Sequence, residues 1–275
     1  MSISERQLAA FAADHNVYGS PVSPRYLAGR GDPRYITHTL WAAGWTSSSD
    51  PLHPALRMTS PDRSLRLDVD FAEERSGWRV STEFGHSYWS ASFSTGTPVE
   101  IVAGLTDALI RPEPDTPALS VAEILTARGW QHSTDEAGTQ TLLSPDGTVH
   151  AELRVSPSIG VTGWQFITAC HHGKFGPRGL LWRAEFRETT PPHLLAAFTA
   201  AVCHPAPVLR ARFDHASSPH VRVDEEFVIG DAMVAAHKQR LAHARRLRPR
   251  PVQHAPGAAI PAPAPAAGAT AGPTR

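Results

Sequence analysis

The residue types best suited to chemistry crowd near the C-terminus. Lys238, Arg240, Arg245, Arg246, Arg248 and Arg250 follow one another in a short basic run. Cations at that spacing neutralise phosphates or pair with an acidic protein surface. Cations at a helix C-terminus also complement its dipole. From Ala232 to Arg275 there are seven Lys or Arg and no Asp or Glu, which leaves 19 basic and 26 acidic residues before them. The body is acidic and the tail basic, so the tail is read as an interaction segment. Nucleic acid, an acidic partner surface and the chain's own body are the three partners that fit it.

A second candidate is the stretch His171-His172-Gly173-Lys174-Phe175-Gly176-Pro177-Arg178-Gly179. His171, His172, Lys174 and Arg178 supply charge and hydrogen bonds, and the glycines let a backbone approach a ligand closely. The stretch is not a P-loop and opens no helix. A surface hairpin lengthened by insertion is the plainer alternative. Cys170-His171-His172 and Cys203-His204 contain metal-ligand types, but they lie far apart and lack a Cys-x-x-Cys pair, so no metal site is expected. Gly29-Arg30-Gly31-Asp32 echoes a dinucleotide fingerprint, yet Pro33-Arg34 stands where the last glycine belongs. Helix entry explains that stretch.

The common catalytic signatures (Gly-x-Ser-x-Gly, the P-loop, His-Glu-x-x-His) are missing from the sequence. The expectation is a non-catalytic binding module without a cofactor. Nucleic acid is the first guess for its ligand, held by the basic C-terminal helix and the 171–179 loop. The alternatives are a protein-interaction module acting through the body and, least favoured, an enzyme of unrecognised type.

The elements that position these residues are written twice. Gly44-Trp45 matches Gly129-Trp130, and Ser60-Pro61-Asp62 matches Ser144-Pro145-Asp146. Trp78 matches Trp164, Trp89 matches Trp182, and Thr97-Pro98 matches Thr190-Pro191. Such self-similarity points to a duplicated unit. In each copy a helix ends at the Gly before Trp, alternating strands follow, and a second helix closes the unit. Leu65, Leu67 and Val69 alternate with Arg66, Asp68 and Asp70, as antiparallel strands with one wet face do. The expected fold class is α+β. It comprises two similar lobes, each helix–four antiparallel strands–helix, plus a C-terminal helix and a disordered tail.

The boundaries expected are an N-terminal arm at 1–30, repeat 1 at 31–112 and repeat 2 at 113–205. An irregular segment and basic helix follow at 206–247, then a Pro- and Ala-rich tail at 248–275 that buries too little to order itself. The tryptophans invite base stacking. Alternation argues for burial instead, because Trp78 shares a face with Val80 and Trp164 with Phe166. Trp45, Trp78, Trp89, Trp130, Trp164 and Trp182 are therefore expected in the core.

Val22-Ser23-Pro24-Arg25-Tyr26-Leu27-Ala28-Gly29, the Gly-Trp after the helix, the Ser-Pro-Asp turn and the Thr-Pro-x-x-Leu-x-x-Ala-Phe stretch near 190–198 resemble one family. It is the uncharacterised domain family numbered 317 among domains of unknown function. The resemblance covers roughly residues 20–205 and implies a tandem domain from filamentous high-GC bacteria. It implies no catalytic or binding residue. The second copy lacks the Val-Ser-Pro-Arg-Tyr lead-in. No apolar run is long enough to cross a bilayer, and Met1-Ser2-Ile3-Ser4-Glu5-Arg6 opens no signal peptide. With only Cys170 and Cys203 as cysteines, the expected location is the cytoplasm, with no membrane partner.

Overall fold

The structure, a computed structural model, describes residues 3–15, 19–48, 55–72, 77–82, 88–156, 160–171, 178–211, 214–225, 227–228 and 230–248. Side chains at 156, 170, 171 and 178 lie outside that description. An N-terminal helix, α1 (Glu5–Asp14), leads into strand β1 (Gly19–Ser23). The first repeat holds helix α2 (Arg34–Ala42), then β2 (Thr46–Ser47), β3 (Leu56–Thr59), β4 (Leu65–Val69), β5 (Gly77–Thr82) and β6 (Ser90–Ser94), then α3 (Val99–Leu109). The second holds α4 (Val121–Thr126), then β7 (Gln131–Thr134), β8 (Gln140–Leu143), β9 (Val149–Ser156), β10 (Gly160–His171) and β11 (Arg178–Phe186), then α5 (Pro192–Val202). Strands β12 (Val208–Ala211) and β13 (Arg222–Val223) and helix α6 (Gly230–Leu247) complete the chain.

The class is α+β. Each repeat carries five strands rather than the four expected, because two short strands precede the Ser-Pro-Asp turn. All ten join one antiparallel sheet, in the order β2-β3-β4-β5-β6-β11-β10-β9-β8-β7. The repeats therefore meet edge to edge through β6 and β11, with Ala184 opposite Phe93 and Phe186 opposite Ala91. This pairing covers the one edge that each five-stranded unit would otherwise leave open at its last strand.

One side of the sheet is dry. Leu67, Val80, Ala91, Ala184, Ala151 and Leu142 come from strands of both repeats, and all are buried in a single cluster. Phe93 from the first repeat meets Phe186 at 5.6 Å and Phe198 at 5.4 Å between ring centroids, and Phe166 meets Phe198 at 5.1 Å. The aromatic knot thus sits over the β6–β11 seam. Helices α3 and α5 pack side by side above it. They approach closely at Gly104, where a Cβ would lie 2.5 Å from that of Ala201.

The local signals act as their chemistry requires. Gly44 and Gly129 hold φ of +99° and +79°, the left-handed conformation in which glycine ends a helix without strain. Ser120 and Glu123 form the capping box of α4, and Ser4 with Gln7 forms another on α1. Asp62 accepts from Ser60 Oγ at 2.5 Å and Asp146 accepts from Ser144 Oγ at 2.6 Å, so the paired Asp residues are turn-builders. Thr97 does not cap α3: its hydroxyl is buried with no partner among the described residues, and Pro98 stands at the helix start.

The lead-in at Val22 explains itself in three dimensions. A 3-10 turn, Arg25–Leu27, follows β1. From it Tyr26 donates its hydroxyl to Asp146 at 2.8 Å, and its carbonyl accepts from Trp182 Nε1 at 2.8 Å. Both partners belong to the second repeat. A single lead-in therefore reaches across to the copy that lacks one. β1 also pairs with β12 and β13, so the N-terminal arm and the 206–228 segment form a small second sheet.

Candidate functional site

The basic helix α6 is docked on the body rather than projecting from it. It packs against α2 and α1. Its inner face buries His237, Leu241 and Ala244, while Lys238, Arg245, Arg246 and Arg248 are exposed. Of these four, Arg248 lays its side chain against Gly44 at the end of α2.

Arg240, grouped with the outward cations by sequence, turns inward. Its two terminal nitrogens donate to both carboxylate oxygens of Asp107 at 2.5 and 2.8 Å. Its Nε donates to Thr39 Oγ1 at 3.0 Å, and its guanidinium lies 4.1 Å from the centre of the Tyr35 ring. A bidentate pair stacked on an aromatic ring fixes both register and rotation of the helix. Among the described residues, Arg240 thus pairs the basic segment with a carboxylate of the body. Arg250 lies outside the described residues.

A histidine pair completes the docking. His38 Nδ1 and His237 Nε2 are 3.1 Å apart, and Phe11 stacks on His237 with centroids 4.0 Å apart. Burial pushes both rings from 6.5 to about 4; the neighbouring Arg34 adds to the shift of His38, and His38 itself to that of His237. Asp32 opposes both shifts, and His15 and Arg240 also face His237. The unfolded chain then binds protons between about pH 6.5 and 4 that the folded chain does not, so stability falls as pH drops through that window and is level above it. The loss reaches on the order of 3 kcal/mol per ring at pH 4. Urea midpoints measured from pH 7.5 to 4.5 check this, and His237→Phe should remove much of the slope.

The 171–179 stretch lies mostly outside the described residues, including His172 and Lys174. What is described is its base: His171 pairs with Arg178 at the end of the β10–β11 hairpin. His171 and Arg178 thus end and begin the two strands nearest the seam on the second-repeat side. Trp45, Trp78, Trp89, Trp130 and Trp182 are buried, so they offer no stacking platform. Trp164 differs: it is half-buried and borders a small polar hollow on the other side of the sheet. Cys203 is half-buried and burial raises its thiol, which argues against a reactive thiolate. Among the described residues no group of three or more His, Cys, Asp or Glu is placed to hold a metal ion.

The wet side of the sheet carries a feature that sequence reasoning passed over. Its strands line up one unbroken polar row. Arg57 stands opposite Asp68, Asp68 opposite Arg79, Arg79 opposite Ser92, and Ser92 opposite Glu185. The row continues through Gln165 and Glu152 to Thr141. Arg57 donates to Asp68 at 2.7 Å and Gln165 to Glu185 at 2.8 Å. The row thus carries charges of both signs, with Arg57, Asp68 and Arg79 on the first repeat and Glu185 and Glu152 on the second. The alternation of each strand announced the residues, but only the strand order reveals the row.

Residues 59–115 and 143–208 each match the model of the SPDY domain, a domain of unknown function (DUF317). Each matched segment runs from the end of the strand before the Ser-Pro-Asp turn through the closing helix of its repeat, and α6 lies beyond both. No curated protein and no solved structure matches the chain. Among the described residues no helix is long and apolar enough to cross a membrane. Two successive segments of the chain, one in each repeat, are therefore similar to the SPDY domain of unknown function, and a docked basic helix follows the second.

Proposed function

We propose that the protein is a binding module in which the tandem domain serves as a scaffold and the outer side of α6 engages nucleic acid. The observation that carries this reading is the division of labour along α6. His237, Arg240, Leu241 and Ala244 hold the helix down, while Lys238, Arg245, Arg246 and Arg248 are exposed, with no carboxylate partner among the described residues. A helix fixed in place offers its cations at a set spacing, which lowers the ordering cost of binding a phosphate chain. The buried tryptophans leave little base stacking, so the mechanism is phosphate neutralisation with little sequence preference. Four phosphate contacts would lower affinity for duplex DNA about a hundredfold between 50 and 200 mM salt. Fluorescence anisotropy with labelled single- and double-stranded DNA tests this, and absence of binding at 50 mM salt would overturn it.

The polar row on the sheet favours a second reading, a protein partner docked across the seam between the repeats. Its charges of both signs suit another protein better than a phosphate track. Co-purification from the host with the full chain and with a chain ending at Gly230 separates the two. Partners kept by the shorter chain, with no DNA bound by either, would favour the sheet.

A further inference from the structure

A cleft of about 1030 Å³ opens beneath α6, on the side away from its exposed cations. Helix α6 forms one wall through Met233, Ala236, His237 and Leu247, and α1 contributes Phe11. The opposite wall comes from the 3-10 turn, the start of α3 and strand β12. The volume is that of a pocket for a drug-sized molecule.

The polar groups of this wall divide into two kinds. Three arginines are already matched: Arg34 with Asp32, Arg210 with Glu100 and Arg240 with Asp107. Arg25, Arg30 and Arg111, also on the wall, form no ion pair among the described residues, and Arg30 lies over the Phe71 ring. Arg25 uses one terminal nitrogen on His204 Nδ1 at 3.1 Å, while its Nε is buried with no partner. His237 is 3% exposed, and its Nδ1 is likewise buried and unpartnered. Because the other ring nitrogen is occupied by His38, either tautomer leaves Nδ1 unmatched. A buried polar atom without a partner costs stability, and two on the walls of one cleft ask for a bound group that satisfies them.

We infer that this cleft is a binding site for a small organic anion with an apolar or aromatic body. Its carboxylate or phosphate accepts from Arg25, with Arg111 adding long-range attraction. Its body lies among Phe11, Tyr35, Met233 and Leu247, and a polar atom meets His237 Nδ1. The inference stands apart from the nucleic-acid reading, because the four outer cations of α6 do not line the cleft.

The test uses the full chain and the fluorescent anion 1-anilinonaphthalene-8-sulfonate, with the neutral N-phenyl-1-naphthylamine as its uncharged counterpart. One equivalent of the anion should bind at least tenfold more tightly than the neutral dye. Arg25→Met should abolish that preference and Arg25→Lys should keep most of it, whereas Arg183→Met on the open sheet should leave it unchanged. Displacement by benzoate would assign a carboxylate ligand, and displacement by AMP but not benzoate would assign a phosphate. Equal binding of both dyes, a preference untouched by Arg25→Met, or displacement by neither competitor would overturn the inference. Replacing all four outer cations by alanine should abolish DNA binding without changing dye affinity, so either idea can fail alone.

Discussion

Replacing Phe198 with alanine is expected to cost about 3–5 kcal/mol and to weaken both repeats together. Phe198 is fully buried and touches Phe93 of the first repeat as well as Phe166 and Phe186 of the second. Removing its ring opens a cavity directly over the β6–β11 seam. The neighbours cannot collapse into that space, because they are pinned by strand pairing across the same seam. Since one sheet and one apolar cluster span the repeats, denaturation followed by tryptophan fluorescence and by circular dichroism should give a single coincident transition, shifted as a whole. Two separated transitions, one of them unmoved, would contradict a shared core.

Arg210→Ala should be nearly as damaging, at about 3–5 kcal/mol. The Arg210 side chain is 4% exposed, and it donates to Glu100 at 2.7 and 2.5 Å, to the carbonyl of Ala28 at 2.6 Å and to that of Leu209 at 2.9 Å. It therefore ties β12 to the lead-in and to the first turn of α3. Truncation would leave the half-buried Glu100 carboxylate without its hydrogen-bonded cation, and the carbonyls of Ala28 and Leu209 without their donor. Burial of the arginine alone would lower its pKa, but the charge and hydrogen bonds of Glu100, together with the charge of Asp214, reverse this. Replacing both partners with apolar residues of similar size, Arg210→Met with Glu100→Leu, should recover much of the loss, because the penalty comes from the charge left behind. Urea unfolding of the single and double variants measures both effects.

The parts of this fold visible in the sequence are those fixed by neighbouring residues. Gly44 and Gly129 end helices whose own geometry demands a left-handed residue there. Ser60-Pro61-Asp62 and its twin close turns through bonds two residues long. The Leu65–Val69 alternation announces a strand with one wet face. Long-range pairing left no such mark. Nothing local says that Phe93 lies against Ala184, because antiparallel register between distant strands depends on edges and seams rather than on either strand's pattern. The two-residue strand β2 is too short to carry a period at all.

The site divides in the same way. A cluster of cations on a helix was legible, and so was its charge contrast with the body. Which cation turned inward was not, since Arg240 meets an aspartate 133 residues away. The cleft is hidden for the same reason: its walls come from the two ends of the chain and the helix between them. Trp164 packs against the core beside Phe166 but stays half-buried, nearer the start of β10.

The claim that α6 presents its outer cations to a phosphate chain is tested most directly by the salt dependence of DNA binding. Titrations from 50 to 200 mM salt compare the native chain with one bearing Lys238→Ala, Arg245→Ala, Arg246→Ala and Arg248→Ala. The native chain should give a slope of log affinity against log salt of about −3.6, and the variant a slope near zero with little residual binding. A variant that binds as tightly as the native chain, with the same slope, would contradict the account.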